Sequence, residues 1–273
     1  MENRELRHIV HYYFKRLNKN AERMKRDFNE EAIHLFRVDV KKLRAFLRLM
    51  RPAAKEPGQL KFPTKFKKLY SLAGKIRDRQ LYLERIRQYN KAGNGRSRNK
   101  IYVLQKEIKE LANKRDDFPA KKEFKETEDK LIQQLPVNAE DVLLKNFFQQ
   151  KLTVISEVVS KGDYKEKELH SIRKSLKDII YVTRILRDDL KIPVPFSWWD
   201  ESELKKAENL SHTLGLFNDA CIALAFLPPA DIKKSGPGER EHLQALRRKW
   251  LAEKRKLKKE ALNEIPAIQY SMK

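Results

Sequence analysis

Residues 34–51 read HLFRVDVKKLRAFLRLMR, and residues 170–187 read HSIRKSLKDIIYVTRILR. In and just before the first stretch, Ile33, Phe36, Val40, Leu43, Leu47 and Met50 alternate spacings of three and four, the signature of one buried helix face. Laid over each other at a shift of 136 (170 − 34), the two stretches share this seam: Phe36 falls on Ile172, Val40 on Leu176, Leu43 on Ile179. The basic residues follow the same register. His34 falls on His170, Arg37 on Arg173, Lys41 on Lys177, Arg48 on Arg184 and Arg51 on Arg187. Arg44 breaks the match by falling on Ile180.

Working outward, the same periodicity predicts helices over about 3–28, 30–51, 64–89, 98–116 and 119–135. A second series covers about 139–160, 164–188, 201–227 and 239–263. Breakers punctuate them: Pro52, Pro57 and Gly58, the KAGNGRS loop at 91–97, Pro119, Gly162-Asp163, Pro193 with Pro195, Pro228-Pro229, and Gly236-Pro237-Gly238. Strand-like alternation is missing, so the chain reads as all-α. With a shift of 141 (215 − 74), LAGKIRD (72–78) lies over TLGLFND (213–219), pairing Gly74 with Gly215 and Asp78 with Asp219. The extra five positions (141 − 136) fall in the connector around Pro193–Trp199. The pattern implies an internal duplication within a single domain, 1–273, as a bundle of two pseudo-symmetric halves, 1–136 and 137–273.

Composition sets the limits. The chain has 273 residues, with 61 Lys and Arg against 38 acids, a formal charge of +23. Hydrophobic residues make up 40%, enough for a core and too many for simple disorder. Only 8 residues are Gly, which argues against a turn-rich β architecture. The single Cys221 excludes a disulfide framework and a cysteine-based zinc site, and fits a reducing compartment. No apolar run approaches the ~20 residues that cross a bilayer, and the amphipathic first segment has no signal-peptide pattern. The expectation is a soluble, cytoplasmic protein that attracts polyanions.

Each of His34, Arg37, Lys41, Arg44, Arg48 and Arg51 stands one residue past a seam position, so this stripe runs about 100° round the helix from the buried face. His170, Arg173, Lys177, Arg184 and Arg187 repeat the placement. Two such helices can set their stripes across one basic central groove, where the cations repel unless an anion lies between them. At a rise of 1.5 Å per residue the stripe is about 25 Å long, a length that suits a linear polyphosphate or a nucleic-acid backbone better than one phosphate. Arg offers a planar fork to phosphate oxygens and Lys a point charge. A solvated flank explains one such stripe; two in register point to anion binding.

Other positions carry less. Lys15 pairs with Lys151 at the shift of 136, and Lys65 with Lys206 at 141, as possible additions to the groove. Gly74 and Gly215, inside helices, imply close approach of another helix backbone. Asp78 and Asp219, four residues on, read as structural or as orienting a stripe residue. His8, His11, His212 and His242 fit no pattern, and the cations at Arg247, Arg248, Lys254, Arg255, Lys258 and Lys259 read as a solvated face. Trp198-Trp199 reads as an apolar plug, with a base-stacking platform as the alternative.

The segment H-x-x-R-x-x-x-K-x-L-R-x-x-x-R at 34–48, its looser copy at 170–184, and L-x-G-x-x-R-D and L-G-x-x-N-D at 72–78 and 214–219 resemble the conserved histidine α-helical domain (CHAD) family. The resemblance implies a two-halved helical bundle that binds inorganic polyphosphate in its central groove and associates with polyphosphate granules. Its ligand-binding residues would carry over to His34, Arg37, Lys41, Arg44, Arg48, His170, Arg173, Lys177 and Arg184. Ile180, and Asn218 in place of Arg77, depart from the pattern and imply a weaker second half. The E-x-E-x-K signature of a triphosphate-hydrolysing domain occurs at Glu126–Lys130 and Glu201–Lys205. Both lie in helical context, where i and i+2 point about 200° apart and cannot share a metal. No Gly-rich phosphate loop, H-E-x-x-H or Ser/His/Asp set is present. A non-catalytic polyphosphate-binding module with no cofactor and no metal is therefore expected. A nucleic-acid binder is the first alternative and a metal-dependent phosphohydrolase the second.

Overall fold

A computed structural model describes residues 1–269 except 57, 92–96, 115–117 and 163, with the side chains of 267 and 269 also left aside. The helices are α1 (Asn3–Asp27), α2 (Glu30–Met50), α3 (Thr64–Lys91), α4 (Arg98–Ala112), α5 (Lys121–Gln134), α6 (Asp141–Lys161), α7 (Glu166–Arg184), α8 (Glu201–Ala225), α9 (Pro229–Lys233) and α10 (Pro237–Gln269). Most of the KAGNGRS loop, Pro57 and Asp163 lie outside the described residues. Among the described residues there is no strand, only one isolated bridge between Glu2 and Asn138.

Local chemistry sets the helix ends. Asn29 caps α2 by accepting from the backbone N–H groups of Glu31 and Ala32 at 3.0 and 3.2 Å, and Glu30 and Glu31 suit the positive end of the helix. At the other end Pro52 turns the chain into a 3₁₀ turn, Arg51–Ala53. Asp200 caps α8 through the N–H of Glu203 at 2.9 Å. Gly162 ends α6 at φ 63°, in the left-handed region that glycine enters without a Cβ penalty. The expected helix to 188 does not stay regular: Ile185–Asp189 form a π turn, which shifts the phase of everything beyond Arg184. The short α9 after Pro228 was not expected either.

Packing runs in the same order on both sides of the centre. α1 packs on α2 and α2 on α3; α6 packs on α7 and α7 on α8; α2 and α7 meet each other. α5 lies on α1, α4 on α3, and α10 along α8. The seam residues Ile33, Phe36, Val40, Leu43, Leu47 and Met50 are all buried in the main core, as are Leu169, Ile172, Leu176 and Ile179. Removing this apolar surface from water supplies the drive for the helices to pack. A second apolar cluster joins Tyr82 and Ile86 of α3 to Leu104 of α4, Leu224 of α8, Ile232 of α9 and Trp250 of α10. Trp199 is also core: it packs edge-on to Phe148 and its indole donates to Thr183 Oγ1 at 2.9 Å. Among the described residues no helix is long and apolar enough to cross a membrane.

Candidate functional site

With the seams of α2 and α7 buried, Lys41, Arg44 and Arg48 of one stripe and His170, Arg173 and Lys177 of the other come to the line where the two helices meet, while His34, Arg37 and Arg51 do not line it. A cleft of about 520 Å³ opens there, lined by Lys41, Arg44 and Arg48 of α2, Tyr70 of α3, Lys151 of α6, and a longer series from α7. That series includes His170, Arg173, Lys174, Lys177, Asp178 and Tyr181.

The middle of each stripe faces the other. The Lys41 ammonium is pushed down to about 8, first by burial and then by Arg37, Arg173 and Lys177, with Asp219 pulling the other way. Lys177 is also lowered, by burial and by Arg173, and Glu208 opposes. Both histidines are shifted below their ordinary value by burial, His34 also by Arg77, Lys41 and Arg37, and His170 by Lys174 and Arg173. A hydrogen bond between His170 and Asn218 offsets this in part. The side-chain Nε atoms of Arg48, Arg51 and Arg173 are buried without a hydrogen-bond partner. Donors held in this way normally find an acceptor.

Arg37 is positioned by α3. Its Nη1 donates to the Tyr70 carbonyl at 3.3 Å, and its Cζ lies 4.8 Å from the Tyr70 ring centre. Arg44 approaches the same ring at 5.8 Å, while Lys177 lies 5.7 Å from the ring of Tyr181. Tyr181 is raised to about 12, chiefly by burial. Gly74 leaves space for the Arg37 guanidinium, and Gly215 stands beneath Arg173. The expectation that a helix backbone would approach these glycines is corrected: the nearest atoms are the matched arginine side chains. Asp78 is raised by burial and by Asp219, and lowered by Arg37 and Lys41, so the two aspartates and these cations share one neighbourhood.

Several expected residues lie elsewhere. Arg184 donates to Glu208 at 2.9–3.1 Å, and Arg187 pairs with Glu201. Both are drawn toward α8 and neither lines the cleft. Of the four added lysines only Lys151 reaches it. Lys15 is exposed on α1, Lys65 pairs with Glu123 at 2.6 Å, and Lys206 with Glu203 at 2.5 Å. Ile180, at the position matching Arg44, is buried in the core. Sequence reasoning missed Lys174, Tyr70, Tyr181 and Asp178. An acid also enters the cleft: Asp178 accepts from Arg48 and stands 3.3 Å from Lys151. Glu126–Lys130 and Glu201–Lys205 are in α5 and α8, both helices. Among the described residues no three His, Cys, Asp or Glu side chains converge as metal ligands would.

Fold and cleft together define an all-helical protein with half-buried cations gathered where two central helices meet. The chain belongs to the CHAD domain family, whose model matches residues 8–228. The crystal structure of the CHAD domain from the plant Ricinus communis is similar over 99% of this chain and 91% of that chain, with a TM-score of 0.66 and 16% identity. That likeness is one of fold. No curated protein sequence matches the chain.

Proposed function

We propose that the cleft between α2 and α7 is a basic groove that binds inorganic polyphosphate, and that the protein is a non-catalytic module serving to locate or regulate polyphosphate stores in the cytoplasm. The observation that carries this reading is the convergence of the half-buried Lys41, Arg44, Arg173 and Lys177 on one cleft, where burial first, and then Arg37, Arg173 and Lys177, bring the Lys41 ammonium down to about 8. Folding sets these like charges against one another at a cost, and a bound polyanion reverses that cost.

The shape favours a thin ligand. The cleft has a volume of only about 520 Å³, too small to admit a DNA duplex, whose major groove alone is about 12 Å wide. An unbranched phosphate chain reaches Lys41, Arg44, Arg173 and Lys177 together; a duplex touches only the rim. The released counterions make such binding strongly salt-dependent. The test is competition between long-chain polyphosphate and single- and double-stranded DNA of equal charge, over a range of salt. Polyphosphate should win at every salt concentration, and preference for DNA would falsify the assignment. Release of orthophosphate from the bound chain over time, with or without added divalent metal, would show a hydrolase instead.

A further inference from the structure

The cleft contains one acidic side chain among its lining residues, and nothing in the polyanion reading uses it. Asp178 is 13% exposed and is shared by cations from two other helices, Arg48 of α2 and Lys151 of α6. It engages Arg48 through Nη2 alone, leaving Nε buried and unpartnered. Arg48 itself is 32% exposed, so an anion in the cleft can reach it. The carboxylate belongs to one half only. At the shift of 136, position 178 falls on Lys42, whose ammonium lies 5.9 Å from the Tyr13 ring centre and does not line the cleft.

We infer that Asp178 is a specificity-determining residue: its carboxylate stands where a phosphate would, and an incoming anion must take Arg48 and Lys151 away from it. This rests on the polyanion reading of the same cleft. A phosphate that displaces the carboxylate gains both the Arg48 fork and the Lys151 point charge. It must also tolerate Asp178 beside it. A dense phosphate chain meets this demand by engaging Lys41, Arg44, Arg173, Lys174 and Lys177 in the same event. A nucleic-acid backbone, whose charges are separated by sugars, engages fewer of them at once and is rejected more strongly. Asp178 therefore sets a threshold of charge density.

The experiment compares wild type and Asp178→Asn in binding long-chain polyphosphate and single-stranded DNA of equal charge. Asp178→Asn should bind polyphosphate about tenfold tighter, the scale of one charge-assisted hydrogen bond. Its salt slope should steepen by about one charge, because Asp178 no longer offsets one of the cations that meet the ligand. Affinity for DNA should rise by a larger factor, narrowing the discrimination. Unchanged or weaker affinity for both ligands, or DNA gaining no more than polyphosphate, overturns the inference. The two readings fail separately. A wild type that prefers DNA removes polyphosphate as the ligand, while a DNA gain in Asp178→Asn that exceeds the polyphosphate gain still supports the gate. Adding Arg48→Gln to Asp178→Asn should cancel much of the gain. If Asp178→Asn does not fold, Asp178→Glu is measured instead. Its longer carboxylate should weaken polyphosphate binding, and equal or tighter binding overturns the inference.

Discussion

The guanidinium of Arg37 occupies the space in which a side chain at position 74 would begin. A Cβ built on Gly74 would fall inside contact distance of Arg37 Nη1 and 3.2 Å from its Cζ, whereas one on Gly215 would meet Arg173 only at an ordinary 3.8 Å. The two glycines are matched in sequence but differ in what depends on them. Gly215→Ala should stabilise α8 by up to ~1 kcal/mol, the helix-propensity difference, with polyphosphate binding unchanged. Gly74→Ala should lose that gain, because Arg37 must leave its seat over Tyr70, and binding should weaken. Thermal melts beside ligand titrations of the two variants check this; equal behaviour would show that Arg37 is not seated by the glycine.

The ends of the stripes should be dispensable. Arg184 and Arg187 already have Glu208 and Glu201 as partners outside the cleft. Arg184→Gln and Arg187→Gln each remove a partly exposed ion pair, worth ~0–1 kcal/mol of stability, and should leave affinity for polyphosphate nearly as it was. Arg44→Gln and Arg173→Gln, from the middle of the cleft, should each lower it by about tenfold and flatten its salt slope. Titration of the four variants at two salt concentrations separates the groups.

This division marks where the sequence was legible. Periodicity gives the angle of a residue around its own helix, and on that basis Ile33 to Met50 were correctly placed in the core and Lys41 at its edge. Periodicity carries no information on what a neighbouring helix presents. Arg184 has nearly the same angular position as Lys177 two turns further along, yet α8 brings Glu208 beside it. Arg187 lies in the π turn, where the 3.6-residue phase no longer holds. Tyr70 sits on α3, outside both stripes, and Asp178 follows Lys177 directly, so nothing in its spacing shows that it turns toward Arg48 and Lys151.

The aromatic pair at 198–199 offers a test of a different kind. Trp199 is 4% exposed and hydrogen-bonded to the buried Thr183, while Trp198 is half-buried and stacked on Phe196 at 5.0 Å between ring centres. Both packings favour the plug over a base-stacking platform. Trp199→Ala should cost about 3–5 kcal/mol through the cavity left behind, and it strips the Thr183 hydroxyl of its partner. Trp198→Ala should cost less. Neither change should alter binding of single-stranded DNA when measured well below the melting temperature; a loss at Trp198 would restore the stacking role.

Lys41 makes the protonation state of the cleft measurable. Its ammonium titrates at about 8 in the folded protein against an ordinary 10.5. Below about 8 it is charged in both folded and unfolded states, and the folded protein bears the full cost of that charge. Between about 8 and 10.5 the unfolded chain binds the extra proton, so this group makes the empty protein more stable as pH rises through that window. Lys41→Met removes the cost at every pH. It should therefore melt higher than wild type at pH 7, with an advantage that shrinks by pH 10. Polyphosphate acts in the opposite direction. Placed beside Lys41 it favours the ammonium, so binding at pH 8–9 should take up protons from the buffer. Calorimetry in two buffers of different ionisation enthalpy reads that uptake directly, and Lys41→Met should reduce it. Wild type and Lys41→Met taking up equal numbers of protons would place the ligand away from Lys41, and with it away from the centre of the cleft.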